Sequence, residues 1–501
     1  FVLLMGSTVD NAGVISTPKG QAMLAAGHDF ILRQGSGTDA NITSTTRGNE
    51  ISPGIWDGST FTVGGGAVSN KGLIFSQQGD ITLAGHSITQ NGILLSTTSV
   101  NQRGTIHLLN AASDTTGSIV LGGSSVTDIM LELGSDDTAL NSQRDALIAA
   151  SSAADQQRAG AAINAFNNLS VLADRQDQSR IEFVTGGTVT FKNGSITLAQ
   201  GGQAAVSAGQ RIFTESGSTI DVSGVRDVLL PMSANNILVN VQGNELRDSP
   251  QNRDSGFLAN ADIWIDVRDL IFVSAGTGGY ASDRYYTPGG LLEVGGYLAN
   301  TAHKIGEWAS VGGTITLSAP EVIAQQGSIF DISGGSLAYA GGNIQTTNFL
   351  GKDGRLYNVN NARGDMTFYG IGDGFVRSND RWGVTQVWSS PFGKGRVSTR
   401  REDGYTVGRD AGQFSLLATT SDIQATLLTD VVNGSRQNNA RPQSATDGYK
   451  LTQNTVALPG RFSLADFDRL LMKTMPTGSV EFGSAAQRGD SSANHSVSYT
   501  H

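Results

Sequence analysis

The sequence predicts an all-β fold, specifically a parallel β-helix, and three observations favour it. A five-residue phrase recurs in which a glycine is followed by alternating variable and apolar residues, as in 79–83. Strict alternation after a turn residue is typical of a strand with one buried face. Glycine is abundant, with 65 residues, and recurrence of one strand type indicates stacked repeats rather than a globule. The copies begin at Gly79, Gly104, Gly117, Gly187, Gly194, Gly313, Gly364 and Gly412.

The spacing of the glycines fits one coil of such a helix. Gly79 and Gly104 lie 25 residues apart, as do Gly92 and Gly117. Coils of about 20 residues stacked at roughly 4.8 Å would make some 350 coil residues extend ~80 Å. We expect inward ladders of Ile81, Leu83, Ile106, Leu108, Ile119 and Leu121, and we expect Thr82, Thr105, His107 and Ser118 to face water. A β-sandwich of hairpins is the alternative, although Asn-Gly and Asp-Gly turns are few.

Composition divides the chain into five segments. An Ala-rich insertion is predicted to be helical because Ile163, Phe166 and Leu169 fall at helical spacing. It is either a decoration packed on the flank of the coil or a partner contact. The segments are a parallel β-helix at 1–135, the helical insertion at 136–180, and β-helix again at 181–340 with long aromatic loops at 226–310. Then follow an irregular, aromatic-rich continuation at 341–483 and a polar tail at 484–501.

Charge and composition exclude several classes of partner. The net charge is −10, spread without acidic blocks, and the basic run 394–401 is not interleaved with aromatic residues, which argues against nucleic acid. No apolar stretch is long enough for a membrane span. Cysteine is absent, which fits a protein exported unfolded through an oxidising compartment. Phe1 is not an initiator Met and the first residues lack a signal peptide, so we expect a fragment of a longer polypeptide.

The sequence predicts that the chain is not an enzyme. Paired outward carboxylates would be the natural catalytic group of a β-helix, with Asp221, Asp262, Asp266, Glu293 and Asp331 as candidates. The octets 217–224 and 327–334 are 110 residues apart, so several coils should separate their carboxylates beyond the ~5–9.5 Å of glycosidases. The six histidines are scattered, and we expect no metal and no cofactor.

Two Arg-Gly-Asp tripeptides are the remaining candidate site. They are Arg363-Gly364-Asp365 and Arg488-Gly489-Asp490. The tripeptide is a receptor-binding signature of extracellular ligands, but chance occurrence is unremarkable in so Gly-rich a chain. The first copy overlaps the phrase at 364–368, where its glycine is expected in a turn, whereas the second lies in the polar tail. Both are kept as candidate receptor-binding residues.

The phrases at 217–224 and 313–320, together with 353–357, 381–384 and 404–412, resemble the filamentous haemagglutinin family of two-partner-secretion exoproteins. The resemblance covers most of residues 60–450, in repeats that are individually short. It implies a right-handed parallel β-helix, export through an outer-membrane transporter, and a place at the bacterial cell surface. The chain shows no amino-terminal secretion domain of that family, so the export route is inferred.

The sequence therefore predicts a structural and adhesive segment of a large secreted cell-surface protein. It would form a rigid stalk and attach to a host-cell or surface receptor or glycan through weak contacts repeated along its length. Two alternatives remain open, namely a polysaccharide-binding or polysaccharide-cleaving β-helix and the stalk of a contact-dependent toxin.

Overall fold

The computed structural model describes residues 1–33, 49–63, 65–111, 113–149, 177–372, 374–379, 381–382, 384–389, 397–441, 448–450 and 452–465. This part of the chain is mostly β-structure with a few short helices. Two long sheets dominate it, one of 15 strands and one of 8 strands.

The strands are numbered in chain order. The first group is β1 (Val2–Gly6), β2 (Thr8–Asn11), β3 (Val14–Ser16), β4 (Gln21–Ala26), β5 (Asp29–Arg33), β6 (Glu50–Trp56), β7 (Phe61–Val63), β8 (Ala67–Asn70), β9 (Leu73–Ser76), β10 (Asp80–Ala84), β11 (Ser87–Gln90), β12 (Ile93–Thr98), β13 (Thr105–Leu109), β14 (Ser118–Leu121), β15 (Val126–Leu131) and β16 (Ala139–Leu140). The second group is β17 (Arg180–Thr185), β18 (Thr188–Phe191), β19 (Ile196–Leu198), β20 (Gln203–Ala208), β21 (Arg211–Thr214), β22 (Thr219–Asp221), β23 (Val228–Leu230), β24 (Asn236–Asn240), β25 (Asp262–Asp266), β26 (Ile271–Val273), β27 (Arg284–Tyr286), β28 (Ala302–His303), β29 (Thr314–Ala324), β30 (Ile329–Asp331) and β31 (Ser336–Tyr339). The third group is β32 (Gly342–Gly351), β33 (Leu356–Asn358), β34 (Phe368–Ile371), β35 (Gly374–Asn379), β36 (Val384–Ser389), β37 (Val397–Glu402), β38 (Tyr405–Gly408), β39 (Gln413–Ile423), β40 (Thr426–Leu428) and β41 (Arg461–Ala465). The helices are α1 (141–149), α2 (Pro250–Ser255), α3 (Gly295–Ala299) and α4 (Ile305–Trp308).

Three strands in succession form one repeating unit, called a rung below. β10, β11 and β12 make one rung, and each pairs in parallel with its counterpart, β13, β14 or β15, in the next rung. The counterparts line up as three faces. The first face is β1-β4-β10-β13-β17-β20-β29-β39-β41, the second is β2-β8-β11-β14-β18-β21-β29-β39, and the third is β3-β9-β12-β15-β19-β22-β30-β40; the long strands β29 and β39 contribute to both the first and the second face. The predicted all-β fold with parallel strands is confirmed, and the described pairs of these sheets are not the antiparallel neighbours of a hairpin sandwich.

The register stacks like side chains on one another. Ile81 pairs with Ile106, and Ile106 pairs with Ile181 in the next rung. The six residues expected inside, Ile81, Leu83, Ile106, Leu108, Ile119 and Leu121, are fully buried and belong to one core that runs through the rungs. The predicted apolar ladders are therefore confirmed.

The glycine of the recurring phrase is required by contact between rungs. A Cβ atom on Gly187 would lie 1.9 Å from the carbonyl oxygen of Gly117, and on Gly313 it would lie 2.0 Å from that of Gly202. At Gly412 the distance to the Gly313 carbonyl oxygen would be 1.8 Å. These glycines do not have positive φ angles. The backbone of one rung thus occupies the space that any side chain of the next would need.

A ladder of side-chain amides marks the corner between the second and third faces. Asn11 Nδ2 donates to Asn70 Oδ1 at 2.8 Å, and Asn70 Nδ2 donates to Gln90 Oε1 at 2.8 Å. Gln90 Nε2 then donates to the carbonyl oxygen of Gly92 at 2.9 Å. Buried amides are stable here because each finds its partner one rung away.

Two sequence predictions about the phrase are wrong. Gly92 precedes β12 and Gly117 precedes β14. These two strands lie on different faces, so the 25-residue spacing of their glycines does not correspond to strand pairing. Gly79 and Gly104, with the same spacing, do precede paired strands. Gly364 lies in the turn expected for it, but the strand after it, β34, begins only at Phe368 and pairs antiparallel with β32 away from the two long sheets. The phrase marks a strand but does not specify which sheet it joins.

The outward side chains of the first face are not in water. Thr82, Thr105 and His107 are fully buried, contrary to the prediction, whereas Ser118 on the second face is half-buried. Part of the cover is β6, because Ile51 packs with Met23, Ala25 and Ala84 on the outer side of this face. Alternation alone distinguishes the two sides of a strand, but it does not show whether the outer side is covered.

The stack is shorter than predicted. Nine strands on the first face give eight intervals of about 4.8 Å, or roughly 40 Å rather than ~80 Å. The chain leaves the faces between β22 and β29, between β30 and β39, and between β40 and β41. Strands from the first two of these excursions share a second hydrophobic core, called the excursion core, which is composed of Val239, Val241, Leu246, Leu258, Ile263, Ile265, Leu270, Leu291, Leu292, Val294, Phe349, Val359, Ala362 and Phe368.

The start of the Ala-rich insertion combines a strand and a helix. Ala139–Leu140 pairs antiparallel with Ala302–His303 of a later excursion, and residues 141–149 are helical. Ile163, Phe166 and Leu169, on which the helical prediction rested, lie outside the described residues.

Replacing Gly313 with alanine should destabilise the chain by more than about 2 kcal/mol, because the added methyl group would overlap the Gly202 carbonyl of the preceding rung. Urea denaturation followed by far-UV circular dichroism measures the effect. Gly134→Ala is the matched control, since its Cβ would meet nothing within 4 Å, and it should change stability by less than about 0.5 kcal/mol. Equal effects of the two substitutions would contradict the steric explanation.

Candidate functional site

The first Arg-Gly-Asp tripeptide lies in an exposed turn that is fastened to helix α2. The side chains of Arg363 and Asp365 are 68% and 63% exposed. The carbonyl oxygen of Gly364 accepts hydrogen bonds from Ser249 Oγ at 2.6 Å and from Gln251 Nε2 at 2.9 Å. The backbone of the turn is therefore held in place while its charged side chains remain at the surface.

The two charged side chains of this turn bind each other. Arg363 Nε donates to Asp365 Oδ1 at 3.0 Å and Arg363 Nη2 donates to Asp365 Oδ2 at 2.5 Å. These hydrogen bonds lower the pKa of Asp365 and raise that of Arg363. A receptor that needs the guanidinium and the carboxylate separately must first open this pair. The second tripeptide, Arg488-Gly489-Asp490, lies outside the described residues.

Asp221 and Asp331 are direct neighbours, which corrects the separation expected from the sequence. β22 pairs with β30 in parallel, and Asp221 is in register with Asp331. Most of the 110 residues between them form an excursion and not additional rungs, so adjacent strands bring the carboxylates together. Asp128 lies on the same row two strands away, with Leu198 between it and Asp221.

Burial raises the pKa of two of these carboxyl groups, those of Asp128 and Asp221. Burial raises the pKa of Asp128 to about 6, and the negative charge of Asp221 adds to the effect. Burial also raises the pKa of Asp221, and the charge of Asp331 contributes, against hydrogen bonds from Ser223 that lower it. Within the described part of the chain, Asp128 Oδ1 is a buried atom without a hydrogen-bond partner.

Asp221 and Asp331 also have a local structural role. The backbone N–H of Ser223 donates to Asp221 Oδ1 at 2.8 Å, and that of Ser333 donates to Asp331 Oδ1 at 2.8 Å. Each Asp-x-Ser therefore closes the turn that ends its strand, as Asp side chains commonly do. This role accounts for the octet that repeats at 217–224 and 327–334.

The other candidate carboxylates have local partners. Asp266 forms a buried bidentate pair with Arg268. Glu293 accepts from the backbone N–H of Gly295 at 2.8 Å, and Asp262 accepts from Asn240 Nδ2 at 2.7 Å. These contacts lie on the excursions, and the register does not place the three carboxylates in the row of Asp221 and Asp331.

Sequence analysis missed a buried polar network on the outer side of the first face. His107 Nδ1 lies 3.1 Å from Glu182 Oε2, and Arg180 Nη2 donates to Glu182 Oε1 at 2.9 Å. Arg180 Nη1 also donates to Gln203 Oε1 at 2.9 Å, and Thr105 donates to Asp80 one strand earlier. The residues lie on four adjacent strands, β10, β13, β17 and β20. Alternation placed these charged and polar residues on the outer side of their strands, but no sequence pattern indicated that this side is covered.

Neither a metal centre nor a membrane helix is found among the described residues. No group of three or more His, Cys, Asp or Glu side chains in that part could hold a metal ion. No helix there is long and apolar enough to cross a membrane. Of the described histidines, His86, His107 and His303 each contact one carboxylate, from Asp114, Glu182 and Glu307 respectively.

The structure thus defines a class of protein, an all-β chain built on long parallel sheets with excursions from the stack. Comparison with family models, with curated proteins and with solved structures finds no match to this chain. The resemblance to filamentous haemagglutinins stays a prediction that rests on the sequence phrases alone.

The Asp128 side chain should make the chain less stable as pH rises. Its folded-state pKa of about 6 exceeds the ordinary value of 3.8, so its favourable contribution is complete below pH 3.8 and is lost as pH rises through 6. Asp128→Asn should flatten the stability profile between pH 4 and pH 7 and should stabilise the chain at pH 7. Urea denaturation at several pH values measures this, with the exposed Asp137→Asn as control. If the stability of Asp128→Asn depended on pH in the same way as that of the wild type, the Asp128 carboxyl would titrate with an ordinary pKa, contrary to this prediction.

Proposed function

We propose that this chain is a structural and adhesive segment of a large secreted cell-surface protein of Gram-negative bacteria. The observation that carries the proposal is the in-register parallel pairing of equivalent strands through successive rungs on three faces. The finer architecture we propose is a right-handed parallel β-helix, in which the three faces close around the single core.

The physical basis of a stalk function is the direction of the hydrogen bonds. Inter-strand hydrogen bonds and apolar ladders both run along the stack, so bending it would strain many contacts at once. The amide ladder of Asn11, Asn70 and Gln90 adds side-chain bonds in the same direction. Such a stack can hold binding loops at a fixed distance from the surface that carries it.

The excursions are the segments proposed to supply adhesion. They leave a rigid scaffold, they have a core of their own, and binding residues in such architectures are commonly on loops. The proposed partners are a host-cell or surface receptor or glycan, and an outer-membrane two-partner-secretion transporter for export. Zero cysteines and the family resemblance of the phrases support that route.

A direct experiment measures attachment. Beads coated with the purified chain should adhere to epithelial cells or glycan-coated glass under shear, and excess soluble chain should displace them. In the source organism, antibodies to the chain should label intact cells, and deletion of the transporter gene should remove the label. Adhesion equal to that of beads coated with an unrelated β-rich protein would overturn the adhesive part, and absence of surface label would overturn the location.

Polysaccharide cleavage is a second candidate, favoured by the in-register carboxylates Asp221 and Asp331 with Asp128 nearby. One carboxyl with a raised pKa beside another is the arrangement of an acid and a base. The structural proposal predicts that neutral and acidic polysaccharides keep their length on incubation with the chain, measured by reducing-end release. Release that is lost in Asp221→Asn and kept in Asp137→Asn would replace the structural proposal with the enzymatic one.

The first Arg-Gly-Asp turn should not be the attachment site for an integrin-type receptor. Arg363 and Asp365 neutralise each other, and their turn is fastened to α2. The double substitution Arg363→Ala and Asp365→Ala should leave divalent-cation-dependent cell attachment within about twofold of wild type, since exposed pairs contribute little. Arg488→Ala with Asp490→Ala is the parallel test of the second copy. Loss of attachment in the first variant alone would contradict the prediction.

A further inference from the structure

The outer side of the third face carries apolar side chains where a solvent-facing sheet is expected to be polar. The first outward position of each strand forms one row along the stack, and Val14, Ile93 and Ile196 in this row are 73%, 41% and 42% exposed. The register aligns them directly with half-buried neighbours from the intervening rungs. The row is Val14, Leu73, Ile93, Val126, Ile196, Thr219, Ile329 and, at its end, the exposed Thr426.

A second outward row lies beside the first, two residues further along each strand. It begins at the exposed Ser16, and its other members are half-exposed and either apolar or acidic. The three carboxylates lie at the third to sixth positions after this start, with Leu198 among them and Leu428 after them. In register, the row is Ser16, Phe75, Leu95, Asp128, Leu198, Asp221, Asp331 and Leu428. The two rows together are called the third-face stripe.

The other two faces do not expose a comparable apolar row in these rungs. On the second face one outward row runs through Ser69, Thr89, Val120 and Thr190, of which only Val120 is apolar, and it is half-buried. The same row continues through Phe213 and Ile323, which are buried. On the first face the outward side chains of Met23, Thr82 and His107 are buried. Among these rungs, the row of exposed apolar side chains is therefore specific to the third face.

The dimensions of the stripe limit what can cover it. Seven intervals of about 4.8 Å give a length of about 34 Å, and two alternate residues give a width of about 7 Å. The resulting area, about 240 Å², is slightly below the roughly 300–600 Å² of the largest apolar patch on a typical monomer. It is well below the ~800 Å² per partner of a stable globular interface. One helix of about 23 residues would span its length.

We propose that the third-face stripe is a docking surface for an amphipathic, basic helical segment of a partner protein. Apolar side chains of the segment would cover the row from Val14 to Ile329, and Lys or Arg side chains on its flank would meet Asp221 and Asp331. The charge of the stripe determines this choice of occupant, because burying carboxylates without a counter-charge is costly. The proposal goes beyond the stalk function and does not depend on adhesion.

A second copy of this chain fits the stripe less well. If two stripes met in antiparallel orientation over their full length of eight strands, Asp331 would face Phe75 and Asp221 would face Leu95. Such an interface would bury the carboxylates against apolar side chains. A basic segment avoids this cost.

The test uses a designed peptide as probe. A fluorescent 23-residue helix with Leu on one face and Lys on the flank is titrated with the full chain by anisotropy, and a matched peptide carries Glu in place of Lys. The Lys peptide should bind about tenfold or more tightly than the Glu peptide, and the Asp221→Asn, Asp331→Asn double variant should lose the salt dependence of binding.

Matched variants locate the binding surface. Ile93→Lys with Ile196→Lys should weaken binding of the Lys peptide at least about tenfold, because both place a cation on the stripe. Thr89→Lys with Thr190→Lys changes the same two rungs on the second face and should alter binding less than about twofold. Both pairs alter outward positions, and circular dichroism checks that each variant is folded.

Three outcomes would overturn the proposal. The first is equal binding of the Lys and Glu peptides, and the second is binding that Ile93→Lys with Ile196→Lys leaves unchanged. The third is that the wild-type chain does not bind the Lys peptide but does self-associate or bind anionic lipid vesicles, and that Ile93→Lys with Ile196→Lys abolishes this association. In that case the stripe serves a second copy or a membrane surface instead.

Discussion

The rest of the fold depends on one constraint: at the corners, the backbones of successive rungs are in direct contact. At Gly313 the carbonyl oxygen of Gly202 fills the place of a side chain, and at Gly412 the carbonyl oxygen of Gly313 does so in turn. Corners that close allow equivalent strands to pair at the ordinary spacing, rung upon rung. Apolar ladders, the amide ladder and the alignment of outward rows all follow from that register.

Much of the stack could be predicted from the sequence because its causes are local. A glycine followed by alternating apolar residues specified a strand and its inward side, and Ile81 and Ile106 are paired as their 25-residue spacing indicates. The core needed no long-range information beyond this repeat. Prediction failed for the strand after Gly364. The glycine is in the expected turn, but β34 belongs to an excursion, because five residues do not determine the sheet that a strand joins.

The candidate sites could not be predicted in the same way, because they depend on which segments leave the stack. Asp221 and Asp331 are adjacent only because the chain between them forms an excursion. Alternation likewise identified the outer side of each strand but not its surroundings. His107 is buried in a polar network, while Ile93 and Ile196, which are apolar, remain exposed. Whether a side chain is covered or exposed depends on tertiary structure. On the first face polar outward residues are buried, and on the third face apolar outward residues are exposed, which is the opposite of the expected arrangement on both.

Distances between spin labels along one face test the central claim, parallel in-register stacking, most directly. The chain has no cysteine, so labels can be attached to cysteines introduced at Thr8, Thr188 and Thr420 on the second face. Four and seven strand intervals separate Thr8 from Thr188 and Thr420, so the account predicts distances of about 19 Å and about 34 Å by pulsed electron resonance. Distances that do not increase with the number of intervening strands would contradict it.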